Sequence, residues 1–309
     1  GVGSMAIVTS KEVYRKCLTE PWAVGGFIGY DLEIMQAAIE AGIDEQAPIM
    51  VQASCRVIDY AGADRLYAMA QAFSSAYGVP VILHLDHGDS VERCKHCIDN
   101  GFSSVMLDCS GEPYEENVRK VREVCEYAHR AGVVVEGEVM HPVEGKEKFV
   151  TAPEEALRYV EETGCDSLSV CCGNAHGMDP DYRKKLRVEE IAAIHALLPE
   201  MPLVLHATSV FDEAFIDRAN RVGADRRQPF NFALEDLQAT YSMGVCKVNS
   251  ALDIKILYTT AIREYMLRHP REMDPRKYLG YAREEIRRHI AGKHRNVFRD
   301  SGKSSLLDA

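Results

Sequence analysis

The stretch from Val81 to Ser90, VILHLDHGDS, runs from an apolar, strand-like segment straight into His84, Asp86 and His87. Burying imidazoles and a carboxylate without partners costs several kcal/mol, so something at the end of this segment must satisfy them. Comparable groups recur further along the chain. Glu138 closes VVVEGEV, His176 follows SLSVCC within CCGNAHG, and His206 closes PLVLH. Three histidines with a nearby carboxylate form the donor set of a catalytic zinc site that keeps one coordination position open for substrate. Two of these histidines are flanked by small or hydroxyl-bearing residues, Gly173 to Gly177 and Ala207-Thr208-Ser209, where backbone N–H groups after a strand can cradle a phosphate. The same residue types are ordinary turn formers.

Residues this far apart meet only if the chain returns each of them to one place. A unit of a short β-branched run, a polar turn and an amphipathic stretch repeats eight times. Strands are expected at 23–28, 48–54, 79–86, 104–109, 132–139, 167–172, 202–206 and 245–249. Helices are expected at about 31–41, 63–77, 90–99, 114–130, 153–163, 187–198, 211–221 and 253–268. The runs read as apolar on both faces, as in a parallel sheet covered by helices, and eight units favour closure. The expected fold is α/β, a single (β/α)8 TIM barrel over 5–292 with an extra helical insert at 223–243 before strand eight. A C-terminal helix at 274–292 is opened by Asp274 and Pro275. Gly1 to Ser4 ahead of Met5 reads as an expression scar, and 293–309 as a tail.

In such a barrel the carboxyl ends of the strands converge on one rim, and Asp86, His87, Glu138, His176 and His206 all fall at those ends. Taken singly, each histidine is better read as a hydrogen-bonded core residue. Jointly they are not, because chance scatters histidines over both barrel ends and the helices, as it does His96, His129, His195, His269 and His289. Those five read as structural or surface residues. His84, one pleat deeper in strand three, is expected to support ligands rather than to ligate. The polar stretch 140–152 after strand five is long for a compact domain, which marks a functional or mobile loop.

The bulk composition narrows the partners. The 309 residues are 46% hydrophobic and 27% charged, with a formal net charge of −11. No apolar stretch approaches a membrane span, and the acidic balance without a basic stripe disfavours nucleic acid and anionic membranes as partners. Ten cysteines, several inside apolar runs, with no signal-peptide pattern read as reduced thiols of a cytoplasmic protein. The C-x-x-C of Cys94 and Cys97 has no second pair elsewhere and falls in a helical segment, so it is read as structural.

The segments VPVILHLDHG, GFSSVMLD, EENVRKVREVCEYAHRAGVVVEGEV, TAPEEALRYVEETGCDSLSVCCGNAHG, PLVLHATS, GVCKVN and DPRKYL together resemble the class II, metal-dependent ketose-bisphosphate aldolases of the fructose-bisphosphate type, over nearly all of 5–292. The resemblance implies that His87, His176 and His206 bind Zn2+ and that Glu138 is a carboxylate holding the metal in an alternative position. Asp86 would be the general acid/base at the C4 hydroxyl of the ketose, and Glu144 or Glu147 in the loop after strand five the second acid. Zinc would polarise the ketone and stabilise the enediolate left by C3–C4 cleavage. Ser54, Gly177, Ala207, Ser209 and Asn249 would bind substrate and its phosphate, with a monovalent cation beside them as an optional helper. The sequence departs from the family at that anchor. The usual H-G-G-S-G reads His206-Ala207-Thr208-Ser209-Val210, and the usual N-x-D-T-D reads Asn249-Ser250-Ala251-Leu252-Asp253.

The implied reaction is reversible retro-aldol cleavage of a fructose-1,6-bisphosphate-like ketose phosphate to dihydroxyacetone phosphate and an aldehyde, with an altered substrate preference. Two other readings stand beside it, a metal-dependent epimerase or isomerase acting through the same enediolate, and a non-catalytic sugar-phosphate-binding homologue. The expected partners are a small-molecule sugar phosphate and further copies of the chain, as a homodimer or homotetramer.

Overall fold

The computed structural model describes residues 7–142, 149–174, 186–206, 208, 210–226 and 232–304. These form ten strands. The first five are β1 (Val24–Ile28), β2 (Met50–Ser54), β3 (Ile82–Gly88), β4 (Ser104–Leu107) and β5 (Val134–Val139). The short β6 (His141–Pro142) and β7 (Phe149–Val150) follow, then β8 (Ser167–Val170), β9 (Leu203–Leu205) and β10 (Val245–Ser250). β6 and β7 pair antiparallel with each other. The other eight strands close a parallel barrel in the order β1-β10-β9-β8-β5-β4-β3-β2.

Helix α1 (Lys11–Cys17) precedes the barrel and α2 (Leu32–Glu45) follows β1. After β2 come α3 (Cys55–Ala61) and α4 (Ala63–Tyr77), after β3 α5 (Val91–Asp99), and after β4 α6 (Tyr114–Arg130). α7 (Pro153–Thr163) precedes β8 and α8 (Val188–Leu197) precedes β9. α9 (Glu213–Arg221) and α10 (Leu234–Ala239) lie between β9 and β10, and α11 (Leu252–Arg268) and α12 (Pro275–Lys293) close the sequence of long helices. Four of the helices begin where a side chain takes up a free N–H group. Asp31, Ser90 and Asp212 accept from Ile34, Arg93 and Phe215, and Asp274 accepts from Arg276 with Pro275 at the first helical position.

Each of the eight barrel strands appears where the apolar runs place it, and the insert before the last strand is α10 with a 3-10 turn over Thr240–Met243. Helices α1 and α3 and the β6/β7 pair were not expected. α1 is too short for periodicity to register, yet it has a defined task. Its Val13, Tyr14 and Cys17 pack against Val24, Met50, Ile82, Val134 and Cys246, the innermost residues at the amino ends of the strands, and close that end of the barrel. The carboxyl end is left for chemistry. The chain beyond 292 also packs on the barrel, with Phe298 edge-on to Phe27 and the Gly302 N–H donating to the Glu45 carbonyl. All ten cysteines are free thiols, and Cys94 and Cys97 are buried on α5.

One expectation is corrected. The strands are not apolar on both faces, because buried Gln52, His84, Ser104, Glu136, Ser167, Ser169 and Lys247 occupy them. Several of these pair with one another, which makes a polar interior tolerable; the groups that do so lead directly to the site.

Successive strand residues point to opposite faces, so Asp86 and His87 should diverge. The backbone resolves this. His87 has φ +48°, in the left-handed region that non-glycine residues seldom occupy, and the β3/β4 register shifts between Leu85 and Gly88. The next residue must be glycine, since a Cβ on Gly88 would lie 2.4 Å from the Met106 carbonyl oxygen. Gly88→Ala is expected to destabilise the fold by roughly 1–3 kcal/mol through overpacking, seen as a lowered Tm in a thermal melt. An unchanged melt would mean the strand pair yields freely at this point.

Candidate metal centre and active site

Asp86, near the end of β3, is buried and level with Ser54 on β2. From β10, on the far side of β1, Asn249 reaches across and donates its amide N–H groups to both Asp86 Oδ1 (2.9 Å) and His206 Nδ1 (2.9 Å). His206, just past β9, is also buried, and its Nδ1 lies 3.7 Å from Asp86 Oδ1. The His87 and His206 rings are edge to face with centroids 4.5 Å apart. Asp108, just beyond β4, fixes the His87 ring through a 2.7 Å contact from Oδ2 to Nδ1. Residues from four barrel strands, up to 163 positions apart in sequence, are thus assembled on one rim.

The donor atoms form two overlapping sets, Asp86/His87/His206 and His87/Asp108/Glu138, each with its atoms within 4.8 Å of one another. His87 is common to both. Glu138 at the end of β5 is buried, and its Oε2 has no hydrogen-bond partner among the described residues. An orphaned carboxylate oxygen beside imidazole nitrogens is the donor chemistry that a divalent cation such as zinc completes. The residues therefore fit a metal ion.

Burial and neighbouring charges set the proton affinities. Burial first, then the Asp108 charge, pushes the Glu138 carboxyl up to about 8. For His87 burial acts downward, but the Asp108 hydrogen bond and the Asp86 and Glu138 charges prevail and raise it to about 9. Asp86 is held below the ordinary carboxylate range despite its burial, by the charges of His87, His206 and Lys247. Burial and the His87 charge lower His206. A cation seated on His87 and Glu138 must displace their protons. Its apparent affinity is therefore expected to climb between about pH 7 and 9 with proton release, which calorimetry in buffers of differing ionisation enthalpy measures. An affinity flat across that window would contradict the assignment.

Of the residues singled out from the sequence, the structure brings together Asp86, His87, His206, Glu138 and Asn249, with Ser54 beside Asp86. Glu144, Glu147, His176, Gly177, Ala207 and Ser209 lie outside the described residues. His84 supports rather than faces the donor cluster: its Nδ1 contacts Ser104 Oγ (2.8 Å) and its Nε2 the Lys247 ammonium (2.9 Å). His129 and His289 pair with Asp166 and Asp253 away from the cluster.

Sequence reading missed Asp108, Glu136, Lys247 and Asn174. Glu136 Oε1 lies 2.7 Å from His206 Nε2 and its Oε2 accepts from Lys247 (2.8 Å). Asn174 ties the end of β8 to the His206 backbone, donating to the Val170 and His206 carbonyls. The available signal was alternation: Glu136 precedes Glu138 by two residues and so shares its face. The Ala251-Leu252 corner begins α11 with no side-chain cap, and buried Asp253 is engaged by Ser250, His289 and Lys293 (2.6 Å from Lys293 Nζ). That carboxylate binds α12 to the barrel.

The family described as class-II fructose-bisphosphate aldolase matches residues 8–303. A fructose-bisphosphate aldolase of Treponema pallidum (strain Nichols) is 34% identical over 327 residues, covering 97% of this chain and 98% of that one. One of Thermus caldophilus is 36% identical over 293 residues, covering 91% and 94%. Among solved structures, the YdjI aldolase from Escherichia coli K12 superposes with a TM-score of 0.80 at 22% identity, over 96% of this chain and 99% of that one. That likeness is one of fold. No helix among the described residues is long and apolar enough to cross a membrane.

Proposed function

The chain belongs to the class-II fructose-bisphosphate aldolase family, and from that membership we propose that it is a zinc-dependent lyase. The reaction is reversible retro-aldol cleavage of a ketose phosphate like fructose-1,6-bisphosphate, yielding dihydroxyacetone phosphate and an aldehyde. The observation that carries this reading is the pair formed by Asp86 and His206 under one Asn249 amide, which sets a proton-transfer carboxylate beside a metal-binding imidazole.

His87 and His206 would hold the zinc, with His176 as the third histidine, and Glu138 would offer a second seat that shares His87. Zinc there supplies a Lewis acid for the negative charge that collects on the substrate's ketone oxygen. Asp86, kept ionised by its cationic neighbours, takes the proton from the C4 hydroxyl as the C3–C4 bond breaks, and Asn249 keeps Oδ1 aimed. Glu144 or Glu147 returns a proton to the carbon that has lost its partner. Ser54, Gly177, Ala207, Ser209 and Asn249 hold the phosphorylated end, with a monovalent cation as an optional aid. At Ala251 and Leu252 the anchor has no polar side chain, and Asp253 is spent on Lys293 and His289. The substrate preference is accordingly shifted within ketose phosphates. A cytoplasmic homodimer or homotetramer completes the proposal.

The test is a panel of ketose phosphates offered to the zinc-loaded protein and to the chelated protein. Zinc-dependent triose phosphate release is expected for at least one of them. Proton exchange on a triose phosphate without cleavage would replace the reading with epimerisation or isomerisation. Binding with neither would leave a sugar-phosphate sensor.

A further inference from the structure

We propose that Glu136, held in the barrel by the buried ammonium of Lys247, determines which nitrogen of His206 faces the metal, acting as a positioning residue. The inference rests on the reading of His206 as a ligand. Lys247, Glu136 and His84 are each 0% exposed and Ser104 is 1% exposed, so water cannot substitute for any of their contacts. An ammonium only donates. Lys247 donates to Glu136 Oε2 (2.8 Å) and to His84 Nε2 (2.9 Å), and His84 is anchored in turn on Ser104. With Oε2 engaged, the carboxylate presents Oε1 to His206, 2.7 Å from Nε2. A carboxylate can only accept, so Nε2 carries the hydrogen and Nδ1 keeps its lone pair. In the metal-free protein the opposite side of the ring agrees, since Nδ1 faces the Asn249 amide N–H at 2.9 Å, a donor that a metal at Nδ1 would displace. Nδ1 is also the nitrogen on the side of Asp86.

This chain of obligatory donors and acceptors yields a result that simple packing does not. In Glu136→Gln one acceptor oxygen becomes an NH2 group. Lys247 cannot face that NH2, so the amide oxygen turns to the ammonium and the NH2 points at His206 Nε2. Nε2 must then accept, and the ring proton moves to Nδ1, where it blocks the metal and obliges the Asn249 amide to turn its oxygen to the ring. In Glu136→Gln/Lys247→Met the ammonium is gone, the amide can turn its oxygen to His206, and the hydrogen returns to Nε2. The second substitution therefore repairs the first.

The readouts are the His206 tautomer in the metal-free protein, from 15N NMR of histidine-labelled samples, and zinc affinity by chelator competition. The His206 signal is assigned by its loss in His206→Gln. Expected are an Nε2–H tautomer in the parent, an Nδ1–H tautomer with zinc affinity weakened about 10–100-fold in Glu136→Gln, and recovery of most of that loss in the double variant. An Nδ1–H tautomer in the parent, a Glu136→Gln that keeps parental tautomer and affinity, or a double variant weaker than the single would each overturn the proposal. If Glu136→Gln fails to fold, the parent tautomer and the double variant still decide it. A parent that takes up no zinc would defeat the proposed function, while the tautomers would still judge this inference.

Discussion

Asp86→Ala is expected to lower retro-aldol turnover by about 10²–10⁴-fold, the range over which a positioned acid/base contributes, while zinc content stays near stoichiometric. The separation of the two effects is what makes the variant informative. Asp86 is hydrogen-bonded to Asn249 rather than to a ring nitrogen, its 3.7 Å approach to His206 Nδ1 being longer than a hydrogen bond. His87 and His206 are meanwhile secured from behind by Asp108 and Glu136. Removing the carboxylate takes away the group that receives the C4 proton and leaves the imidazoles supported. Turnover measured with metal analysis on the same sample settles the point. Loss of zinc together with activity would move Asp86 into the metal's donor set, which its membership of the Asp86/His87/His206 cluster permits.

The second large effect concerns the metal itself. Chelation is expected to abolish turnover and to lower the Tm, with both restored by zinc. A ligand present at about 1,000 times its Kd stabilises the state that binds it by roughly 4 kcal/mol. The metal-free protein is expected to be the weaker fold because, among the described residues, Glu138 keeps an unpartnered buried oxygen and the Asp86 carboxylate is held out of water. Scanning calorimetry before and after chelation measures the difference, and coincident melts with full activity in chelator would remove the metal from the account.

Much of this was legible in the chain. The eight strands show themselves because a strand covered by helices is a short β-branched run, and because each run is followed by an amphipathic stretch. Placement at strand ends gathered Asp86, His87, Glu138, His176 and His206, of which His176 lies outside the described residues, and Asn249 came only from the family resemblance. What stayed hidden has physical reasons. Glu136 and Lys247 lie within runs that otherwise read as apolar, 111 residues apart, and only the closure of the barrel makes them partners. Asp108 falls within the expected strand 104–109, and only the fold sets it against the His87 ring. The turn of His87 to φ +48°, which lets adjacent residues serve one site, is a backbone feature that no side-chain pattern announces. Asp253 ends the stretch that stands in place of the family's N-x-D-T-D, and its oxygens are engaged by Lys293 and His289, residues 40 and 36 positions further on. α1 closes the barrel floor with seven residues, too few for a periodic signal.

Anomalous diffraction at the zinc edge from crystals of the zinc-loaded protein tests the central claim most directly. The expected map has a peak in coordinating contact with both His87 and His206 at the carboxyl rim of the barrel. A map in which the zinc lies elsewhere, or contacts neither imidazole, would contradict it.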